Sequence, residues 1–92
     1  MEKPIKKDVL KRMSYLTGHL EGVRKMIEED KYCIEVIKQN QAVVEAIKKV
    51  NDLLLENHLN TCATTAIKSK KEAQRKKVIK ELLDIYKTSN KK

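Results

Sequence analysis

Cys33, His58 and Cys62 are the residues of this chain best equipped for chemistry. They comprise both of its cysteines and one of its two histidines. His58 and Cys62 stand four residues apart in His58-Leu59-Asn60-Thr61-Cys62, a spacing that places both on one face of a helix. Cys33 lies 25 residues before His58, with no Gly or Pro between them. On a single helix that separation is roughly 37 Å, at about 1.5 Å per residue, so the three side chains cannot meet within one chain. A second copy running antiparallel, with its dyad near Ala46 and Ile47, brings its own Cys33 opposite Asn60, between His58 and Cys62. The expected site is therefore shared between subunits.

Two thiolates and an imidazole form a soft, low-coordinate donor set. Thiolates select Cu(I), with Zn(II) the competitor. A structural zinc site takes four protein ligands, and no fourth is evident. Cys33 is expected near the start of a helix, where the helix dipole favours the thiolate that binds metal, and Tyr32 beside it can donate a hydrogen bond to a bound sulfur. The plainer alternative is a satisfied histidine and two cysteines buried as small apolar residues. His19, mid-helix, reads as an ordinary packing or surface residue. No phosphate-cradling glycine loop, Ser-His-Asp arrangement or acid-base pair is present, so an enzyme is not expected.

Three helices position these residues, in an all-α chain read as one domain over residues 1–92. Helix one covers about 4–29, beginning near Pro4, which the first turn of a helix tolerates. Its Val9, Met13, Leu16, Leu20, Val23 and Ile27 alternate four and three, as in a coiled-coil seam. Gly18 and Gly22 inside it suggest a close helix approach. Helix two covers about 31–67 with Asp30 as its N-cap; Val36, Asn40, Val43, Ile47, Val50 and Leu54 continue the alternation. Helix three covers about 70–88, and Ser69-Lys70-Lys71-Glu72 has the pattern of a capping box.

Composition limits what a lone copy could be. With no Phe, no Trp and 37% charged residues, a protomer of this size buries little apolar surface, and oligomerisation is the expected remedy. No apolar run approaches the ~20 residues of a membrane span, and a cytoplasmic location follows as the expectation. In that reducing compartment two cysteines serve as ligands or redox thiols rather than as a structural bridge. Net charge is +8. Residues 68–92 carry ten basic groups against three acidic ones, and Lys3, Lys6, Lys7, Lys11 and Arg12 cluster near the start. Such localised charge suits a polyanion, nucleic acid by default, or else a solvated face.

Arg12-x5-Gly18-His19-x2-Gly22, Glu28-x-Asp30-x-Tyr32-Cys33 and Asn57-His58-Leu59-x2-Cys62 occur in this order. With these motifs the chain resembles the CsoR family of bacterial copper-sensing repressors, whose relatives sense nickel, cobalt, formaldehyde or reactive sulfur. The resemblance spans nearly the whole chain. It implies a three-helix protomer, an antiparallel dimer forming a four-helix bundle, and a dimer-of-dimers tetramer. It implies that apo-protein holds operator DNA on a basic face and that Cu(I), one per protomer, releases it to derepress copper-resistance genes. Cys33 matches the ligand from one subunit, with His58 and Cys62 from the other, and Tyr32 and Glu81 match supporting positions. Arg12 and Lys49, with Lys7 and Lys11, are the expected phosphate contacts. His58 favours copper over the persulfide-sensing branch, which keeps both cysteines and lacks the histidine; a thiol-based persulfide or redox sensor of the same fold is the rival. Thr17 stands where the family usually has arginine, Lys49 where it often has arginine, and the Cys62-to-Glu81 stretch is about three residues longer than usual.

Overall fold

A computed structural model describes residues 1–89, with the side chains of Cys62 and Ser89 outside its described part. Helix is the sole regular structure among the described residues: α1 (Lys3–Glu28), α2 (Cys33–His58), a π-helical turn (Leu59–Ala63), α3 (Thr64–Lys68) and α4 (Glu72–Ser89). No helix among these residues is long and apolar enough to cross a membrane. The chain divides into two compact units, residues 1–57 and the part from residue 58 onward.

In the first unit α1 and α2 form a helical hairpin. Pro4 lies in the first turn of α1, where its fixed φ suits the helix and its missing N–H is not needed. Val9 and Leu16 of α1 and Val43 and Val50 of α2 form the buried seam, flanked by Ile5, Ala46, Leu53 and Leu54. His19 reaches across the hairpin to Gln39, with Nε2 and Oε1 2.8 Å apart, as a packing histidine would. The other half of the apolar pattern does not enter this seam. Met13, Leu20 and Ile27 are 44%, 56% and 57% exposed, and Ile47 is 43% exposed; Asn40 is exposed as well. The four-three alternation thus describes two edges, one packed within the hairpin and one left open.

The α1–α2 hairpin itself does not demand Gly18 or Gly22. A Cβ built at either position meets no atom within 4 Å, so neither is required for the approach of α1 to α2. On the same helix Arg24 bonds Glu21 at 2.8 Å and also Glu28. The hydrogen bond and charge of Arg24 hold the Glu21 carboxyl below its ordinary value.

The α1–α2 connection also differs from expectation. Asp30 ends α1 rather than starting α2. It has φ of 55°, and its N–H bonds the carbonyl of Ile27 at 3.1 Å while the Lys31 N–H bonds that of Met26 at 2.9 Å. That pair of bonds is a Schellman motif with Asp30 at its left-handed position. Tyr32 is the N-cap of α2 instead, its carbonyl accepting from Glu35 and Val36 at 2.9 and 3.2 Å. Sequence alone favoured the cap because Asp is a strong N-cap former, yet Asp also tolerates the left-handed region better than most residues. Because that region costs non-glycine residues about 1–2 kcal/mol, partly offset by the entropy glycine adds to the unfolded chain, Asp30→Gly is expected to stabilise the fold by about 0.5–1 kcal/mol. Urea unfolding checks this; an unchanged or lower midpoint contradicts it.

In the second unit the single helix expected to residue 67 is interrupted. The π turn at Leu59–Ala63 separates α2 from α3, though backbone at His58, Ala63 and Thr64 stays right-handed helical. Ala63 is fully buried, and α3 packs on the π turn and on α4. The expected capping box does not form. The Ser69 hydroxyl accepts from the Lys71 N–H at 3.2 Å, a local turn, and Lys71 caps α4 by accepting from Gln74 and Arg75. Glu72 instead pairs with Lys76 at 3.0 Å, and Arg75 Nη1 donates to the Ser69 carbonyl at 2.7 Å.

Candidate metal centre and basic face

Cys33 is the first residue of α2 and is exposed, with a free thiol. The sequence reading set it about two residues deeper, a difference that follows from Tyr32 taking the cap. Tyr32 is itself exposed. His58 closes the same 26-residue helix, so thiol and imidazole mark opposite ends of α2. Cys62 lies inside the π turn, and its side chain lies outside the described residues. Among the described residues, no three His, Cys, Asp or Glu side chains converge within the protomer as a metal-holding group.

His58 is half-buried and lines an open groove with Thr61, Thr65, Ala66, Gln74, Lys77, Val78 and Glu81. One half of this groove comes from the turn and α3, the other from α4. The fold thereby brings Glu81 to the same groove as His58 across 23 residues of sequence. A carboxylate there can accept an imidazole N–H, the usual way a metal-binding histidine is oriented. Gln74 and Lys77 were not singled out from sequence. They lie seven and four residues before Glu81, a helical spacing that would have flagged them once Glu81 was placed.

Of the basic residues, Arg12 and Lys11 line a groove with Asp8, Tyr15, Leu16, His19 and Ala46. Arg12 Nε donates to Asp8 Oδ1 at 3.1 Å, with both side chains nearly half exposed. The i,i+4 spacing of Asp8 and Arg12 made this pair legible in advance, although it was not singled out. Lys7 and Lys49 are exposed, and Lys49 stands three residues beyond Ala46 on α2. Arg12, Lys11 and Lys7 thus project from one helix and Lys49 from the next, all within the first unit.

The donor types fit a soft cation. Cys33 offers an accessible thiol, and His58 a nitrogen in a groove that also holds a carboxylate. The class these features define is all-helical, with three long helices and thiol and imidazole groups at helix ends. A family model for the metal-sensitive transcriptional repressors matches residues 5–88, and the chain belongs to that family. The copper-sensing transcriptional repressor CsoR of Mycobacterium tuberculosis (strain H37Rv) is 38% identical over 82 residues, covering 89% of this chain and 66% of that protein. The protein of the same name from Bacillus subtilis (strain 168) is also 38% identical over 82 residues, covering 89% of this chain and 78% of its own length. The chain thus spans just under two thirds of the length of the mycobacterial relative. The crystal structure of the copper-sensing repressor CsoR with Cu(I) from Geobacillus thermodenitrificans NG80-2 superposes with a TM-score of 0.85 at 33% identity. It covers 99% of this chain and 92% of that one.

Proposed function

We propose that this chain is a cytoplasmic Cu(I)-responsive transcriptional repressor that holds operator DNA in its apo form and releases it on Cu(I) binding, so that copper-resistance genes are derepressed. The observation that carries this reading is its likeness, over nearly its full length, to a copper-sensing repressor solved with Cu(I). The presence here of Cys33, His58 and Cys62 supports it. Copies pair antiparallel and then as a dimer of dimers. Each site takes Cys33 from one protomer and His58 and Cys62 from its partner, with one Cu(I) per protomer.

Each residue has a definable task. Cys33, exposed at the start of α2, is reachable by a second copy. Tyr32 supports the sulfur, and Glu81 orients the His58 ring from across their groove. When bound, Cu(I) supplies soft coordination bonds that the donors of two protomers together satisfy. Both thiols give up their protons for this, so Cu(I) uptake releases protons. Arg12, Lys49, Lys7 and Lys11 contact phosphates, which fixes position without reading bases; selectivity then rests partly on DNA shape. Asp8 holds the Arg12 guanidinium in place. The switch requires only that two arrangements of the assembly differ in their affinity for Cu(I) and for DNA.

Anaerobic Cu(I) titration of the full chain, followed by X-ray absorption and by gel shift on its upstream DNA, tests the proposal. The expected result is a shell of two sulfurs and one nitrogen, with loss of the DNA complex as that shell fills. A four-sulfur shell, or a DNA complex indifferent to copper, overturns it.

A further inference from the structure

Thr64 immediately follows the π turn and makes a bond of a different span from those of Thr17, Thr65 and Thr88. Thr17, Thr65 and Thr88 each donate their hydroxyl to the carbonyl four residues back, at 2.9 Å. This is the ordinary back-bond of a helical threonine. The Thr64 hydroxyl instead reaches five residues back, to the carbonyl of Leu59. Five residues is the span of a π turn, not of an α turn, and Leu59 and Ala63 are the first and last residues of that turn. The Thr64 N–H meanwhile bonds the carbonyl of Thr61, so the wide turn closes with a tight one. Ala63, the last residue of the turn, is fully buried.

The position of this turn matters because it begins directly after His58 and contains Cys62. Four residues overshoot one α turn of about 3.6 residues, so an α-helical i,i+4 pair is offset past the full circle. Four residues fall short of a turn built on i→i+5 bonds. The widening therefore changes the angle between backbone positions 58 and 62, and wide turns of this kind recur at functional sites in helices.

We propose that Thr64 is a positioning residue for the His58–Cys62 pair, its hydroxyl holding the wide helical turn that sets the angle between them. This rests on the reading of His58 and Cys62 as metal donors. Thr64 itself touches no metal. It acts through the Leu59 carbonyl, and the isosteric valine cannot make that bond whereas serine can.

The test uses the full chain with Thr64→Val and Thr64→Ser, and Thr17→Val as a control that loses a hydroxyl–carbonyl bond of the ordinary span in the other unit. Two quantities are read. In the apo-protein, amide hydrogen exchange and backbone carbon shifts over residues 59–64 report whether the wide turn persists. In the loaded protein, competition against a chromophoric Cu(I) chelator gives affinity, and X-ray absorption gives the sulfur and nitrogen count. Thr64→Val is expected to lose the π-turn pattern and to weaken Cu(I) binding by roughly 10- to 100-fold, the range typical of groups that orient metal ligands. Its coordination shell is expected to change, Thr64→Ser to recover pattern and affinity, and Thr17→Val to alter neither. An unchanged apo pattern in Thr64→Val overturns the proposal without reference to copper, as does unchanged affinity with an unchanged shell. Failure of the wild-type chain to take up Cu(I) would instead overturn the metal reading, leaving the apo pattern to decide whether Thr64 holds the turn. A Thr64→Val chain that does not fold leaves Thr64→Ser to decide: the π-turn pattern and wild-type affinity support the proposal, and their loss overturns it.

Discussion

Mixing Cys33→Ala protomers with Cys62→Ala protomers is expected to restore Cu(I) binding that neither variant has alone. In each homodimer both shared sites lack one thiolate, and loss of a ligand costs at least as much as the roughly 10- to 100-fold that loss of an orienting group costs. In the mixed dimer the two defects fall together. One site combines the intact Cys33 of the Cys62→Ala chain with the intact His58 and Cys62 of the other chain, while the second site lacks both thiolates. Refolding the variants together from denaturant, then titrating with Cu(I) under anaerobic conditions, should recover one tight site per mixed dimer. Donors belonging to a single chain could not be rescued this way, because every chain in the mixture is missing one. A mixture as inert as its components would therefore remove the shared site. His58→Ala in the same assay separates the rival chemistry. A persulfide sensor needs only the thiols and keeps its response, whereas a Cu(I) sensor loses a donor and ceases to release DNA.

The all-helical class and the three long helices were legible because apolar residues recur at helical period along each of them, whereas the second helix, expected unbroken to about residue 67, gives way to the π turn after His58. What periodicity could not show was which edge of a broad stripe packs inside the protomer. Val9, Leu16, Val43 and Val50 do, while Met13, Leu20, Ile27 and Ile47 do not. Both edges are apolar, and only the rotation of the two helices distinguishes them. Helix ends were misread for a related reason. Asp30 and Ser69 are good caps by type, but a cap is chosen by backbone dihedrals, and each residue is used in a turn instead. The π turn left no periodic trace, since one wide turn shifts a short segment by less than the breadth of the stripe. Family resemblance pointed to Glu81 beside His58, despite the longer intervening stretch. Their common groove follows from α3 packing on α4, an arrangement that spacing along the chain does not encode.

Ile47→Glu is expected to disperse the assembly and to lower the thermal midpoint by more than about 10 °C. Among the described residues of one protomer the buried ones are Val9, Leu16, Val23, Val43, Val50 and Ala63, and no large side chain among them falls below 2% exposure. A core this small leaves a chain of this length marginal by itself. Meanwhile Met13, Leu20 and Ile27 of α1 and Ile37, Val44 and Ile47 of α2 are exposed. A second hairpin laid antiparallel on that open edge gives the four-helix arrangement in which such side chains are covered. Burying an isoleucine contributes about 1.5–3 kcal/mol, and a dimer loses two of them in this variant. It also gains two carboxylates near the proposed dyad, where they repel across a desolvated contact. Counted per protomer, one such side chain at roughly 4–8 °C per kcal/mol gives a drop of about 6–24 °C, and the repulsion of the paired carboxylates carries it past about 10 °C. In the wild-type chain the midpoint should rise with protein concentration, as mass action requires when folding and assembly are linked. Sedimentation of Ile47→Glu at the wild-type mass, with an unchanged midpoint, would show that this edge is not where protomers meet and would remove the route by which Cys33 reaches its partner's His58.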